Sequence, residues 1–388
     1  MTILERWDHP GDATFDVLVI GAGQSGLAIG RQLAQRGRSF LIVDAGPETG
    51  HVWASRWDSL RLFTAARYSG LPGLPFPGDP DSHPAKDAVA QYLRRYAELF
   101  DVPIRHNTRV TRVTRDGAGF TVHTNGETYR AAQVVLATGP FQLPAIPGIA
   151  GSIGSSIVQL HSSGYRNPEQ LPDGPVLVVG AANSGVQIAA ELNRTRPVAL
   201  STGSPTRTLP QRILGRDLFW WLTTTGLFTA PAQSLLGRRF RNSGELVIGT
   251  GTRRLAAAGV SVHPRVVGAD AATVTFADGT SNTPAAIVWA TGYRSDYSFI
   301  DIPGATDTTG APVHQRGVSP VPGLYYLGLP WQHTRGSALL GFVGADATHI
   351  AEHIATAPFR TRAGCLIGRS AADPGDFTGA TTTRADED

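Results

Sequence analysis

One pattern occurs twice in this chain, and it restricts the fold more than any other feature of the sequence. An apolar run ends in a glycine-rich turn, a stretch of helical spacing follows, and a second apolar run comes after it. The first copy occupies residues 15–20, the turn at Gly21, 25–36 and 39–43. The second occupies 175–179, the turn at Gly180, 184–193 and 197–201, and the two turns are 159 residues apart. Each copy passes through short alternating runs to a final apolar strand that meets Ala-Thr-Gly, at Ala137-Thr138-Gly139 and at Ala290-Thr291-Gly292. Apolar runs without alternation suit strands covered on both faces of a parallel sheet, with the helices as crossovers. A duplication on this scale predicts an α/β chain of two doubly wound Rossmann-type domains.

The first turn reads Gly21-Ala22-Gly23-Gln24-Ser25-Gly26. In this spacing Gly21 makes the tight turn, Gly23 lets the backbone approach a pyrophosphate, and Gly26 lets helix and strand pack. The N–H groups and positive dipole end of the helix receive the phosphates. Asp44 follows 21 residues after Gly23, at the end of the second strand, where a carboxylate accepts from ribose hydroxyls.

The second turn, Gly180-Ala181-Ala182-Asn183-Ser184-Gly185, keeps the outer glycines and has Ala182 in the middle. A second nucleotide loop is the expected reading, with a βα turn that binds no ligand as the alternative. No acid follows it at the matching distance, whereas Arg207 and Arg212 do. A carboxylate there would repel a ribose 2′-phosphate and a guanidinium would pair with it, so NADPH is expected over NADH. In an arginine-rich chain the same two residues also read as ordinary surface charges. Two dinucleotide sites in one chain imply hydride transfer between cofactors.

Composition removes other classes. The single cysteine, Cys365, excludes an internal disulfide and a C-x-x-C relay. With 34 Lys/Arg against 31 Asp/Glu and no basic cluster, nucleic acid is not an expected partner. Lys86 is the only lysine, a bias that reads as coding composition. No apolar run approaches the ~18 residues of a membrane span, and the first residues lack a signal core. A soluble, cytoplasmic protein without a membrane partner is expected. Glycine and proline, 45 and 27 residues, exceed the usual share but stay below low complexity, which places the excess in turns and ligand loops.

Between the repeated units, residues 85–100 carry apolar positions at helical spacing. Residues 110–113, 120–123 and 127–129, separated by Asp116-Gly117 and Asn125-Gly126, read as a β-meander, with 134–136 as a separate buried strand. The densest aromatic segment, Leu218-Phe219-Trp220-Trp221-Leu222, suits a core or subunit interface, an apolar substrate tunnel or a membrane-surface helix. Residues 1–15 read as a loose lead-in and those from about 359 as a flexible tail.

In the order of these motifs the chain resembles the flavin-containing monooxygenases, including the plant YUCCA enzymes and bacterial relatives, over roughly residues 14–357. His51-Val52-Trp53 and Arg56-Trp57-Asp58-Ser59-Leu60-Arg61-Leu62-Phe63-Thr64 resemble the family segment beside the isoalloxazine ring. Val110 matches the residue whose backbone meets the adenine of FAD, and Ala290-Thr291-Gly292-Tyr293 matches the linker between the two domains. The fingerprint F-x-G-x-x-x-H-x-x-x-(Y/F) keeps its end as His161-Ser162-Ser163-Gly164-Tyr165, with Ser155 and Ile157 at the Phe and Gly positions. The Baeyer–Villiger fingerprint is not matched.

The resemblance implies FAD on residues 1–142 and 293–357, NADPH on an inserted domain at 143–292, and a flexible tail at 358–388. It places Trp53, Arg56 and Leu62 beside the flavin, and Ala137, Thr138 and Gly139 among the cofactor contacts. Thr64 stands where many members carry an active-site Asn, and His161 positions the domains and the NADP. Trp331, His333, Ser337 and residues 339–342 are expected to return to the flavin, with Asp346 as a helix cap or a ribityl or phosphate neighbour. The implied chemistry is reduction of FAD by NADPH, reaction with O₂ to a C4a-hydroperoxide, and transfer of one oxygen to a small molecule at N, S or a carbonyl. Expected partners are that small-molecule substrate and O₂, with a homodimer permitted. An oxidase, an oxidoreductase with another electron acceptor and a non-catalytic flavin-binding regulator stay open.

Overall fold

The computed structural model describes residues 14–356, apart from 118, 204–206 and 243–245. The lead-in to residue 13, Cys365 and the tail lie outside them. Strand β1 (Thr14–Ile20) carries Val17, Leu18 and Val19 without solvent exposure. It ends at Gly21, helix α1 (Gln24–Gln35) follows, and β2 (Phe40–Val43) returns parallel to β1, with Leu18 opposite Leu41. After α2 (His51–Ala54) and α3 (Lys86–Leu99), β3 (Ile104–Arg105) extends the edge beyond β2.

Strands β4 (Val110–Asp116), β5 (Gly119–Thr124) and β6 (Thr128–Leu136) form the antiparallel meander. Here the sequence expectation is corrected, because 128–129 and 134–136 belong to one strand. Its first half alternates, with Tyr129 and Ala131 buried between exposed Thr128 and Arg130. The second half is buried on both faces as a parallel neighbour of β1, with Ile20 opposite Leu136. One strand therefore shows both periodicities, because its neighbours change along its length.

The chain leaves this sheet through β7 (Leu143–Pro144) and builds a second, all-parallel one from β8 (Val158–His161), β9 (Val176–Val179), α4 (Asn183–Leu192) and β10 (Val198–Ser201). An excursion follows through β11 (Arg207–Leu209), β12 (Arg212–Ile213), β13 (Arg216–Asp217), α5 (Leu218–Thr224), α6 (Leu235–Asn242), β14 (Leu246–Ile248) and α7 (Thr252–Ala257). Strand β15 (Ser261–His263), a ribbon of β16 (Val266–Asp270), β17 (Thr273–Phe276) and β18 (Ser281–Asn282), and β19 (Ala286–Trp289) complete this part. The sheet order is β15-β10-β9-β19-β8.

Strand β20 (Tyr293–Arg294) then pairs antiparallel with β7, so the outgoing and returning chains form one ribbon. Strand β21 (Ile300–Asp301) joins β4, β22 (Leu324–Tyr326) joins β6, and α8 (Gly344–Thr356) follows. The second sheet is thus inserted into the first, as two doubly wound units.

Each sheet has a core on both faces. One face of the first sheet is covered from α1, α3 and α8, with Leu27, Leu93 and Ile350 fully buried. At about 1.5–3 kcal/mol per buried aliphatic side chain, these faces hold the helices in place. Buried Trp289 keeps its indole N–H satisfied by Gln159 Oε1 at 3.0 Å. No helix among the described residues is long and apolar enough to cross a membrane.

Candidate functional site

The two glycine turns are the same structure. Gly21 N donates to Val43 O at 2.8 Å, and Gly180 N donates to Ser201 O at 2.9 Å. Ala137 N donates to Ile20 O, and Ala290 N to Val179 O, both at 2.8 Å. Gly21 and Gly180 have φ of +107° and +109°, a conformation side chains rarely adopt. A Cβ on Gly26 or Gly185 would collide with the carbonyl of Gly21 or Gly180. At Gly23 a Cβ would meet nothing within 4 Å. Protein atoms therefore leave the middle position open. Ala182 caps α4 with φ −77° and ψ −177°, and Gly23 caps α1 with φ −74° and ψ −172°, so the alanine costs no backbone strain.

Beyond the loops the two units differ. Asp44, at the end of β2, accepts from Ala22 N at 2.6 Å and Gly46 N at 2.7 Å. These bonds fix the carboxylate against the glycine turn. At the end of β10, Ser201 Oγ donates to Pro264 O at 2.8 Å instead. Arg207 is exposed on β11, which pairs with β14. Asn183 of the second turn clamps that β14 through Leu246 O at 3.3 Å and Ile248 N at 3.1 Å, so its amide is engaged by protein. Arg212 lies on the separate β12–β13 hairpin, its guanidinium 3.4 Å from Gly215 O. The arginine set directly against the β10 end is Arg265, which donates to Gly203 O from Nε and Nη2 at 3.3 and 3.0 Å. The sequence reading missed it because its signal is spatial: it follows β15, the parallel neighbour of β10.

Residues 53–64 run between the two units. Trp53 Nε1 donates to Gln24 Oε1 at 3.4 Å, and Gln24 Nε2 donates to Ala338 O at the same distance. The chain after β22 thereby returns to the first glycine turn. Gly328 there packs on Ser25, where a Cβ would clash with the Ser25 hydroxyl. Trp57 and Leu60 are buried in the core of the second sheet, while Leu62 packs on that of the first. Thr64 is buried; its hydroxyl meets Ser69 Oγ at 2.9 Å, and Ser69 donates to Ala65 O, so the Thr64 proton stays within its own loop. Val110 opens β4 opposite Thr124, and Thr138 Oγ1 accepts from Gln142 Nε2 at 2.7 Å. Gly139 has φ +70°, and Ser184 lies in the first turn of α4.

Arg56, Phe141, His161 and Tyr293 gather at the ribbon between the sheets. Arg56 donates to the Tyr293 hydroxyl and lies 5.7 Å from the Phe141 ring centre. His161 meets Tyr293 edge-on with ring centres 5.0 Å apart. Ser163 N donates to His161 Nδ1 at 3.1 Å, which assigns the ring proton to Nε2, and Nε2 donates to Gly292 O at 2.9 Å. Burial holds this imidazole below its usual range; the Gly292 carbonyl opposes the shift and Arg56 adds to it. A neutral ring used at both nitrogens suits positioning.

The aromatic segment divides in this structure: Leu218, Phe219 and Leu222 are core, and Trp220 and Trp221 are half-buried. Leu218, Phe219 and Leu222 are buried with Phe228, and Phe63, Tyr68, Leu339 and Phe342 pack against them. Asp217 caps α5 by accepting from Phe219 N at 2.7 Å. Asp346, in the first turn of α8, is buried and paired with Arg316 at 3.2 Å. That pair lines a cavity of about 520 Å³ together with Pro72, Thr229, His333 and Phe342. Ser337 Oγ accepts from His333 N and Thr334 N at 3.0 Å, and Trp331 packs with Phe240.

A family model described as pyridine nucleotide-disulphide oxidoreductase matches residues 18–208. An uncharacterized CzcO-like oxidoreductase of Geobacillus kaustophilus is 46% identical over 340 residues, covering 87% of this chain and 98% of that protein. Indole-3-pyruvate monooxygenase YUCCA1 of Oryza sativa subsp. japonica is 28% identical over 381 residues, covering 87% and 90%. Among solved structures, the flavin-containing monooxygenase from Stenotrophomonas maltophilia superposes with a TM-score of 0.74 at 28% identity, covering 88% of this chain and 98% of that one. Oxidoreductases matched over nearly their whole length make this chain an enzyme of the flavin oxidoreductase kind. It belongs to the flavin-containing monooxygenase family, among the CzcO-like oxidoreductases.

Proposed function

We propose that the chain is an FAD-dependent monooxygenase reduced by NADPH, with FAD on residues 1–142 and 293–357 and NADPH on 143–292. The observation that carries this reading is the twin cradle: two glycine turns of the same backbone form at helix N-termini, one with Asp44 at its neighbouring strand end and the other with Arg265. The open face at Gly23 and the fixed Asp44 carboxylate fit an adenosine diphosphate without a 2′-phosphate. Arg207 and Arg265 fit one that carries it. When bound, the flavin supplies hydride acceptance and activation of O₂.

The overall balance is NADPH, H⁺, O₂ and substrate giving NADP⁺, water and oxygenated substrate. The protein's part is placement. Gly21, Gly26, Gly180 and Gly185 let backbone donors approach phosphate, Ser25 and Ser184 lie beside those donors, and residues 53–64 close the space between the units. His161 and Arg56 hold the ribbon that sets one unit against the other. Water exclusion falls to Trp53, Leu62 and Thr64, whose hydroxyl makes a bond within its own loop.

Stopped-flow spectroscopy tests the reading. NADPH should bleach the bound flavin without air, and mixing with O₂ should give a transient blue-shifted from oxidised flavin before the yellow form returns. Direct return with stoichiometric peroxide would make the chain an oxidase. Absence of bleaching by NADPH would overturn the nucleotide assignment.

A further inference from the structure

All but one of the chain's 34 basic side chains are arginine, and the exception sits where a cation is disfavoured. Lys86 opens α3, at the positive end of the helix dipole, and is only 7% exposed. Its Nζ donates to Ala54 O at 3.1 Å and to Asp87 Oδ1 at 2.9 Å, and Asp58 Oδ1 lies 3.5 Å away. An ammonium directs three hydrogens from one atom, so it serves three oxygens converging on a point. A planar guanidinium fork does not. The Lys86 backbone N–H also donates to Leu60 O at 3.3 Å. One residue therefore holds the 53–64 strip at three places.

That strip is where the two units meet. Asp58 Oδ2 accepts from Asn167 Nδ2 at 2.9 Å, and Asp58 N donates to Arg166 O at 2.7 Å. Arg61 exchanges two backbone bonds with the Gln187 amide on α4, at 3.3 and 3.2 Å. At the strip's other end Trp53 reaches the first glycine turn through Gln24. The ammonium is the fixed point from which both attachments are spaced.

We propose that Lys86 is a positioning residue that locks the 53–64 strip between the two glycine turns and so sets the geometry of hydride transfer. This rests on the reading that FAD and NADPH occupy those turns. Lys86 lies outside both glycine turns and acts through Ala54, Asp58 and Leu60. A merely structural lysine would change stability and cofactor content together, whereas a positioning one changes the limiting rate of flavin reduction at unchanged NADPH affinity.

Because the chain has a single lysine, [¹³C]lysine incorporated during expression gives one Cε resonance from the holoenzyme. That signal should move on titration with NADP⁺ and on Asp58→Asn. Lys86→Met should keep its FAD and its NADPH affinity within about threefold while anaerobic flavin reduction slows at least tenfold. Lys86→Arg should recover only part of that rate, although it restores the charge. A Lys86→Met holoenzyme reduced within twofold of the parent rate would overturn the proposal. Should Lys86→Met fail to retain FAD, Asp58→Asn decides: reduction slowed about threefold with a displaced lysine signal supports it, and an unchanged rate with an unmoved signal overturns it. If NADPH does not reduce even the parent enzyme, the functional reading falls and this proposal with it, whereas a parent that is reduced and a Lys86→Met holoenzyme that is reduced equally fast overturns the proposal alone.

Discussion

At the carboxyl end of β2 the chain presents a carboxylate held by two backbone donors, and at the carboxyl end of β10 it presents a hydroxyl and an arginine. The backbone beneath those ends is shared. Turn-to-strand bonds agree within 0.1 Å (2.8 and 2.9 Å), the first glycines share their left-handed φ, and the third glycines carry the same steric demand. On the function proposed above, the scaffold supplies phosphate binding twice and leaves the choice of nucleotide to a few side chains at the strand ends. That division explains how one supersecondary unit serves two ligands in one chain.

The strongest test breaks the shared part. Gly26→Val and Gly185→Val each force a branched side chain into the carbonyl of the turn's first glycine. Helix and strand must separate, which should cost at least about 3 kcal/mol in chemical unfolding. Absorbance of the purified Gly26→Val protein should show loss of FAD, while Gly185→Val should lose NADPH-dependent reduction and keep more of its flavin. Equal loss of both functions in both variants would mean that the units are not separable in this way.

The next test works on the part that differs. Charge-assisted contacts are worth about 1.5–3 kcal/mol, or about ten- to a hundredfold in affinity. Asp44→Asn should weaken FAD by that factor, with added loosening because Asp44 also holds Ala22 N and Gly46 N. Arg265→Ala and Arg207→Ala should each erode the preference for NADPH and leave NADH kinetics nearly unchanged. Arg212→Ala should do less, since its guanidinium reaches Gly215 on another hairpin. A parent enzyme using both nicotinamide cofactors equally would remove the charge argument at the second site.

The glycine turns, both flanking strands and Asp44 were legible because they are local: a few residues of fixed spacing carry the whole conformational demand. The repeat made two units legible, and their nesting, one inserted into the other, was implied by the family resemblance. Arg265 was not, because parallel pairing of β15 with β10 brings it to the site across more than sixty intervening positions. Lys86 was read as composition alone, since its three oxygen partners depend on how α2, α3 and the strip pack. The merged strand β6 escaped because a periodicity change normally marks two elements, and here it marks a change of neighbours. In the aromatic segment the buried part, Leu218, Phe219 and Leu222, could not be told from the half-buried tryptophans until Phe63 and Phe342 appeared against it.

A smaller effect concerns the ribbon that joins the two units. His161 is kept neutral by burial, and burial likewise lowers His314, His333 and His349 below the usual imidazole range. A base whose folded pKa is depressed binds its proton more readily in the unfolded chain. Its contribution to stability is thus present above the unfolded pKa, near 6.5, and is lost as pH falls through the folded values. Thermal unfolding should show declining stability on acidification below about pH 6.5. His161→Gln, which can still donate to Gly292 O but does not titrate, should show a shallower decline. An identical pH profile in parent and variant would remove His161 from the acid response.

The smallest expected effect comes from exchanging the middle residues of the two turns, and it isolates what the ligand sees from what the fold needs. Gly23 and Ala182 adopt the same extended backbone at the cap of their helices, and a Cβ at Gly23 would meet no protein atom. Gly23→Ala removes conformational freedom from the unfolded chain, worth about 0.4–1 kcal/mol. It also replaces a better N-cap residue by a poorer one, and the two terms oppose each other. Unfolding free energy should therefore stay within about 1 kcal/mol of the parent. On the proposed reading ligand binding has no such cancellation, because the methyl group enters the open space beside the turn that is assigned to a pyrophosphate. Gly23→Ala should weaken FAD a few-fold, and Ala182→Gly should tighten NADPH by a similar factor, both read by equilibrium titration. A large stability loss in Gly23→Ala would show that the open side is packed in solution. Unchanged affinity in both variants would show that neither middle residue faces phosphate, and the twin-cradle reading would then rest on the outer glycines alone.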